Sequence, residues 1–190
     1  MIKSIIFDLY GTLVTQGDVD IYHGFFNSLG LSRDDIFKWL NKSMTQEYDS
    51  FHDIIKELKI NTNIDIDKYQ NLLDDDVRGV CVFSDTYTVL DRLSKKYNLY
   101  LLSNAGTPYK QPYFDLDLDK YFKKPFFSCE CGMRKPDIEF YNMVVDYGGL
   151  NKNEIIMIGD SYKSDFLGAQ NAGIKSILRD NSLTYITREL

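Results

Sequence analysis

Only two histidines occur in these 190 residues, His23 and His52, and each falls in a segment whose apolar spacing predicts a helix. A histidine-based nucleophilic triad therefore has little to stand on. Three cysteines, Cys81, Cys129 and Cys131, are too few for a disulfide framework. Cys129-Glu130-Cys131 lacks the second cysteine pair or nearby histidine that a four-ligand zinc site needs. No apolar run approaches about 18 residues, so no membrane span is expected. Basic residues are in deficit, 22 Lys and Arg against 28 Asp and Glu, for a net charge of −6. That balance argues against nucleic acid or an anionic membrane as the main partner. Nothing near Met1 resembles a signal peptide, because Asp8 interrupts the only apolar run there, and a cytoplasmic protein is expected.

What the chain does have is an ordinary globular composition, 44% apolar and 26% charged. Its length suits one well-buried domain, or a domain carrying a small insert. The most informative stretch is Lys3-Ser-Ile-Ile-Phe-Asp8-Leu-Tyr10-Gly11-Thr12. Ser4 to Phe7 reads as a buried strand of a parallel sheet, a short continuous apolar run bounded by a turn. Asp8 then sits at the carboxyl end of that strand, where open α/β sheets place their ligands. A carboxylate there is costly to bury unless a cation or hydrogen-bond donors hold it.

Residues 16–80 carry a helical pattern. Ile21, Phe25, Phe26 and Leu29 keep helical spacing, and Ser32-Arg-Asp-Asp35 reads as a helix start before Ile36, Phe37, Trp39 and Leu40. Phe51, Ile54, Ile55 and Leu58 mark a third helix, and Tyr69, Leu72, Leu73 and Val77 a fourth. These residues are expected to form an inserted bundle whose aromatics are mostly core. The acidic run Asp74-Asp75-Asp76 reads as a solvated helix end.

From Asp85 onward helix and strand alternate. Val89, Leu90 and Leu93 predict a helix, and Asn98 to Leu102 a strand ending at Ser103. Pro125 to Ser128 reads as a short strand, with a helix over residues 137–147. Glu154 to Ile158 reads as a buried strand running into Gly159-Asp160. Ser164 is expected to cap a helix through Ala172, ended by Gly173, and Ile174 to Leu178 to form the last strand. Such alternation implies a parallel sheet with right-handed crossovers, an α/β fold.

Polar residues recur where these strands end: Asp8, Ser103-Asn104 and Asp160, with Lys135 just before a helix. Strand ends on one rim of a parallel sheet converge. Two carboxylates that close repel, and one is driven toward protonation unless a cation intervenes. Mg²⁺ suits an all-oxygen site of this kind. Lys135 and the Ser103 hydroxyl would then hold the oxygens of a small anionic substrate.

This set resembles the haloacid dehalogenase-like hydrolase superfamily over nearly the whole chain. Asp8-Leu-Tyr-Gly-Thr12 matches its first motif, Leu102-Ser-Asn104 the second, Arg134-Lys-Pro136 the third and Gly159-Asp-Ser-Tyr-Lys-Ser-Asp165 the fourth. The resemblance implies a Rossmann-like catalytic core over 1–15 and 81–190 and a helical cap over 16–80. It implies that Asp8 is a nucleophile forming an aspartyl-phosphate. Mg²⁺ would be bound by Asp8, Asp160 and the main-chain carbonyl of Tyr10, with Asp165 a further ligand or an orienting residue. Ser103 and Lys135 would hold the transferred group, and Asn104 would support the loop.

One residue departs from the family's phosphatases, which usually carry a second aspartate where this chain has Tyr10. A phenol with an ordinary pKa near 10 is a poor proton shuttle at neutral pH. Tyrosine there marks the family's 2-haloacid dehalogenases, which use the same aspartate without metal. So Tyr10 points to a dehalogenase, while Asp160 with Asp165 points to an Mg²⁺-dependent phosphatase. A non-catalytic binder on the same fold is the third reading. Two bland alternatives stand beside these: Tyr10 as a packing aromatic, and Asp165 as an acidic residue opening a helix.

Overall fold

A computed structural model describes residues 1–18, 20–188 and 190. Five strands form one sheet in the order β3-β2-β1-β4-β5, with every neighbouring pair parallel. The strands are β1 (Ser4–Phe7), β2 (Asn98–Ser103), β3 (Lys124–Phe127), β4 (Ile155–Gly159) and β5 (Lys175–Leu178). β1 is central. Its Phe7 is in register with Leu101 on one side and Ile158 on the other, so the chain leaves the sheet at Asp8 between two flanking strands.

Alternation along the strands divides the apolar side chains between two faces. Ile5, Phe7, Leu99, Leu101, Ile156 and Ile158 join one apolar cluster, and Ile6, Tyr100, Leu102 and Met157 the other. The first cluster continues without a break into Phe25, Phe51 and Leu73 of the helices that follow β1.

Those helices are α1 (Asp20–Ser28), α2 (Arg33–Thr45), α3 (Phe51–Leu58) and α4 (Ile66–Gly79). Each of the last three begins on a short polar side chain that accepts a backbone N–H three residues on: Ser32 from Asp35, Ser50 from Asp53 and Asp65 from Lys68. Phe25 and Phe51 pack with ring centroids 4.1 Å apart. The acidic run in α4 is not simply solvated, as its sequence suggested. Asp76 accepts the Tyr109 hydroxyl at 2.7 Å and the Asp18 N–H at 3.0 Å, so it ties this helix to the loop after β2 and to the segment entering α1.

The second half contains α5 (Thr86–Leu93), α6 (Gln111–Asp115), α7 (Ser128–Cys131), α8 (Ile138–Gly148), α9 (Gly168–Asn171) and α10 (Leu183–Ile186). The sequence did not announce α6, α7 or α10, each of five residues or fewer and too short to show a period. After β4 the expected cap also differs. Ser161, not Ser164, accepts the first N–H, and a wide π-type turn over Tyr162–Leu167 precedes α9. The turn is held from outside, because the Tyr141 hydroxyl on α8 donates to the Ser164 carbonyl. Among the described residues, no helix is long and apolar enough to cross a membrane.

Candidate active site

The loop after β1 is built to present Asp8. Its N–H donates to the Ile158 carbonyl at 2.9 Å, which keeps the strand geometry one residue beyond Phe7. The chain then folds back, with Leu13 and Val14 N–H both bonded to the Leu9 carbonyl and Gly11 at φ +69°. Gly11 is required twice over. A Cβ there would lie 2.2 Å from the Asp160 carboxylate, and its positive φ disfavours a side chain. Arg179, which follows β5, fastens the two loops from behind: its guanidinium donates to the Gly11 carbonyl at 3.1 Å and its N–H to the Gly159 carbonyl at 2.7 Å.

Lys135 is 2% exposed, and its Nζ lies 2.7 Å from Asp8 Oδ1 and 2.6 Å from Asp165 Oδ1. Asn104 sets its position. The Asn104 side chain donates to the Lys135 carbonyl and accepts the Lys135 N–H, each at 2.8 Å. Asp165 takes its second donor from the Ser161 N–H at 2.9 Å, and its carboxylate passes so near Gly159 that a Cβ there would sit 2.3 Å from Cγ. Asp160 is half-buried and accepts the Gln16 side-chain amide at 2.8 Å. One carboxylate oxygen from each of Asp8, Asp160 and Asp165 falls within 4.8 Å of the others.

Three carboxylates thus face one ammonium, a net charge of −2 when all are ionised. Burial raises the Asp8 carboxyl to about 7, with Lys135 pulling it down and Asp165 and Asp160 pushing it up. Asp160 is raised as well, by burial and then by Asp165. For Lys135 burial acts to lower the pKa, but Asp165 and Asp8 outweigh it and hold the ammonium well above the ordinary lysine range. The surplus negative charge and the all-oxygen donor set suit a hard divalent cation held by Asp8, Asp160 and Asp165. Lys135 spends two of its three N–H donors on carboxylates, leaving one for a ligand.

The remaining expected residues divide. Ser103 ends β2, and its hydroxyl is buried with no hydrogen-bond partner among the described residues, as is that of Thr12. Such orphaned hydroxyls are uncommon and point to a ligand or a small local shift. Tyr10 turns its hydroxyl away from Asp8 chemistry, donating to the Tyr109 carbonyl at 2.9 Å, while its ring packs edge-on to that of Tyr109. Burial, then the Asp76 and Asp8 charges, drives its pKa far above the ordinary phenol value. Gln16 and Arg179 were not foreseen, since neither belongs to a pattern of spacing; only contacts across the fold bring them in. Cys81, Cys129 and Cys131 are free thiols.

Two clefts meet above this cluster. One, of about 400 Å³, has Asp8, Lys135, Asp160 and Asp165 in its walls. The other, of about 350 Å³, runs beneath α2, and the two share Tyr10, Gln16 and Asn104.

A family model described as haloacid dehalogenase-like hydrolase matches residues 5–178. The chain is 33% identical over 106 residues to a glyceraldehyde 3-phosphate phosphatase of Methanothermobacter thermautotrophicus, an alignment covering 55% of this chain and 46% of that protein. It is 34% identical over 97 residues to a pyrimidine 5'-nucleotidase of Streptococcus pneumoniae, covering 50% of this chain and 41% of the other. The matched regions thus span less than half the length of these curated relatives. Among solved structures, a HAD family enzyme from Bacteroides thetaiotaomicron, in complex with magnesium and inorganic phosphate, superposes with a TM-score of 0.74 at 20% identity. That superposition covers 99% of this chain and 100% of that one. A HAD phosphatase from Thermococcus onnurineus superposes with a TM-score of 0.63 at 19% identity, covering 96% of this chain and 90% of that one. At these identities the structural likeness is one of fold.

Proposed function

The chain belongs to the haloacid dehalogenase-like hydrolase family, and we propose that it is an Mg²⁺-dependent phosphatase of small phosphorylated metabolites. The observation that carries this reading is the Asp8–Asp160–Asp165 cluster, in which one buried lysine leaves two negative charges uncompensated. A divalent cation removes that penalty, whereas a metal-free dehalogenase would have to bury the same charge without benefit. The phosphatase and nucleotidase names of the relatives support the same choice. The magnesium and phosphate of the Bacteroides neighbour are consistent with it.

In this mechanism Asp8 attacks phosphorus, the P–O ester bond breaks with the leaving oxygen taking a proton from solvent, and an aspartyl-phosphate forms; water then attacks phosphorus, gives up a proton to solvent, and releases Asp8 and phosphate. Bound Mg²⁺ supplies charge neutralisation for the phosphoryl oxygens. Its ligands would be Asp8, Asp160 and the Tyr10 carbonyl, with Asp165 as a ligand or an orienting residue. Lys135 keeps Asp8 in place and turns its free N–H toward a phosphoryl oxygen. The orphaned Ser103 hydroxyl supports a second donor to the same group. Asn104 acts through Lys135. Residues 16–80 serve as the cap over residues 1–15 and 81–190.

Release of phosphate from phenyl phosphate, with Mg²⁺ and with chelator, tests this reading when run beside halide release from 2-chloropropionate. Phosphate that depends on Mg²⁺, without halide, is expected. Halide released in the presence of chelator would hand the chain to the dehalogenases. Silence in both assays, with phosphate still bound, would favour the binder.

Tyr10 is assigned to the pocket wall, because its hydroxyl is committed to the Tyr109 carbonyl. Tyr10→Phe is therefore expected to change kcat less than tenfold, short of the roughly 10²–10⁴-fold that a positioned acid or base contributes. It should cost about 0.5–1.5 kcal/mol of stability for the lost hydrogen bond. Steady-state kinetics and a denaturation curve check both halves, and a loss of kcat beyond about 10²-fold would restore a chemical role.

A further inference from the structure

We infer that the cleft beneath α2 seats the organic part of the substrate and selects a phosphomonoester whose organic group is aromatic and largely apolar. This rests on the phosphatase reading and specifies what that site accepts.

The roof of the cleft is one face of α2. Phe37, Leu40, Asn41 and Met44 all line it, at the i, i+3, i+4 and i+7 spacing that stacks side chains along a helix. Their neighbour Ile36 points the other way, into the core, while Ser43 also lines the cleft with its hydroxyl donating to the Leu40 carbonyl. Phe37 is 76% exposed although it belongs to a folded, capped helix. Tyr10, Tyr22 and Tyr109 line the cleft as well. The lining thus brings together three apolar side chains of α2 and three tyrosines.

The space is continuous with the carboxylate–lysine cleft, because Tyr10, Gln16 and Asn104 stand in the walls of both. A substrate with its phosphoryl group at Asp8 would send its organic part under α2. The volume of about 350 Å³ allows more than one ring, since a cavity of roughly 150 Å³ already takes benzene. Asp18, His23 and Arg134 also line the cleft and can meet a polar substituent, but hydroxyls set against Phe37, Leu40 and Met44 would lack partners, whereas a ring there would cover apolar surface now open to water. Asn41 accepts from the Arg134 guanidinium at 3.4 Å, a tie that holds the roof over the residue next to Lys135.

The test separates binding from turnover. Affinities of phenylphosphonate and methylphosphonate, neither of which can be hydrolysed as an ester, are measured by calorimetry with Mg²⁺ present. Phenylphosphonate is expected to bind about tenfold tighter, and Phe37→Ala to bring the ratio toward one, while Phe37→Leu keeps most of it. Phe37 lies outside the core, so these variants fold. Turnover of phenyl phosphate is compared with that of glycerol phosphate, with the aryl ester expected to have the lower KM. Equal affinity for the two phosphonates, a ratio insensitive to Phe37, or a lower KM for glycerol phosphate would overturn the assignment. A phosphonate preference without phosphate release from any ester would support the cleft assignment and overturn the phosphatase reading instead.

Discussion

Lys135→Met is expected to destabilise the protein by about 3–5 kcal/mol near pH 8, the usual cost of removing one partner from a buried charge cluster. The side chain is enclosed, and its Nζ is the cation between Asp8 and Asp165. Methionine keeps most of the volume, so the loss is electrostatic. The sign of its pH dependence follows from the carboxylates. Asp8 already titrates near 7 in the folded chain, above its ordinary value of 3.8, even with the ammonium beside it. Without Lys135 it rises further, so the folded variant holds protons that the unfolded chain has released. Stability then falls as pH rises from about 4, and the penalty is smallest in acid. In the parent protein Lys135 stays charged across this range, because its raised pKa loses its contribution only in strong base. Urea midpoints near pH 5 and pH 8 provide the check, and millimolar Mg²⁺ should return part of the loss. A penalty equal at both pH values would mean that Lys135 acts by packing alone.

Asp8→Asn is expected to lower phosphate release by about 10⁴-fold or more, the scale of removing a covalent nucleophile. The same change should leave the fold intact. Asp8 is raised to about 7, so its ionised form opposes folding between roughly pH 4 and 7 and above. An amide removes that opposition, while Lys135 retains Asp165 at 2.6 Å. No decrease in Tm near pH 8 is therefore expected, a case of stability gained where function is lost. Activity and Tm measured on one preparation test both statements. Retained turnover would remove Asp8 from the mechanism; lost turnover with a collapsed Tm would make its role structural.

Much of this site was legible before the fold was known. β1 and β4 are short apolar runs followed by an acidic residue, and their length and flanking turns mark buried strands of a parallel sheet. Asp160 and Asp165 are five residues apart on one turn, a distance that local geometry can span. Ser32 announced α2 because a helix N-cap is a local interaction. The errors share a cause. Ser161 displaced Ser164 as the cap of a wide turn whose Ser164 carbonyl accepts from Tyr141 of another helix. Asp76 reads as one of three solvated acids until Tyr109 and Asp18 are brought against it.

The order of the strands and of the longer helices, and the acidic residues at the strand ends, were therefore determined by sequence alone, since each rests on periodicity, caps and spacing over a few residues, while Lys135 was singled out by its match to a family motif. Tertiary structure decided the rest. It set the use of the Tyr10 hydroxyl, whose acceptor lies 99 residues away, and the charge imbalance at Asp8, which depends on burial as much as on residue type. It also divided the apolar residues of α2, with Ile36 in the core and Phe37 and Met44 lining a cleft. A hydrophobic period records that a face avoids water, but only the packed chain determines what covers it.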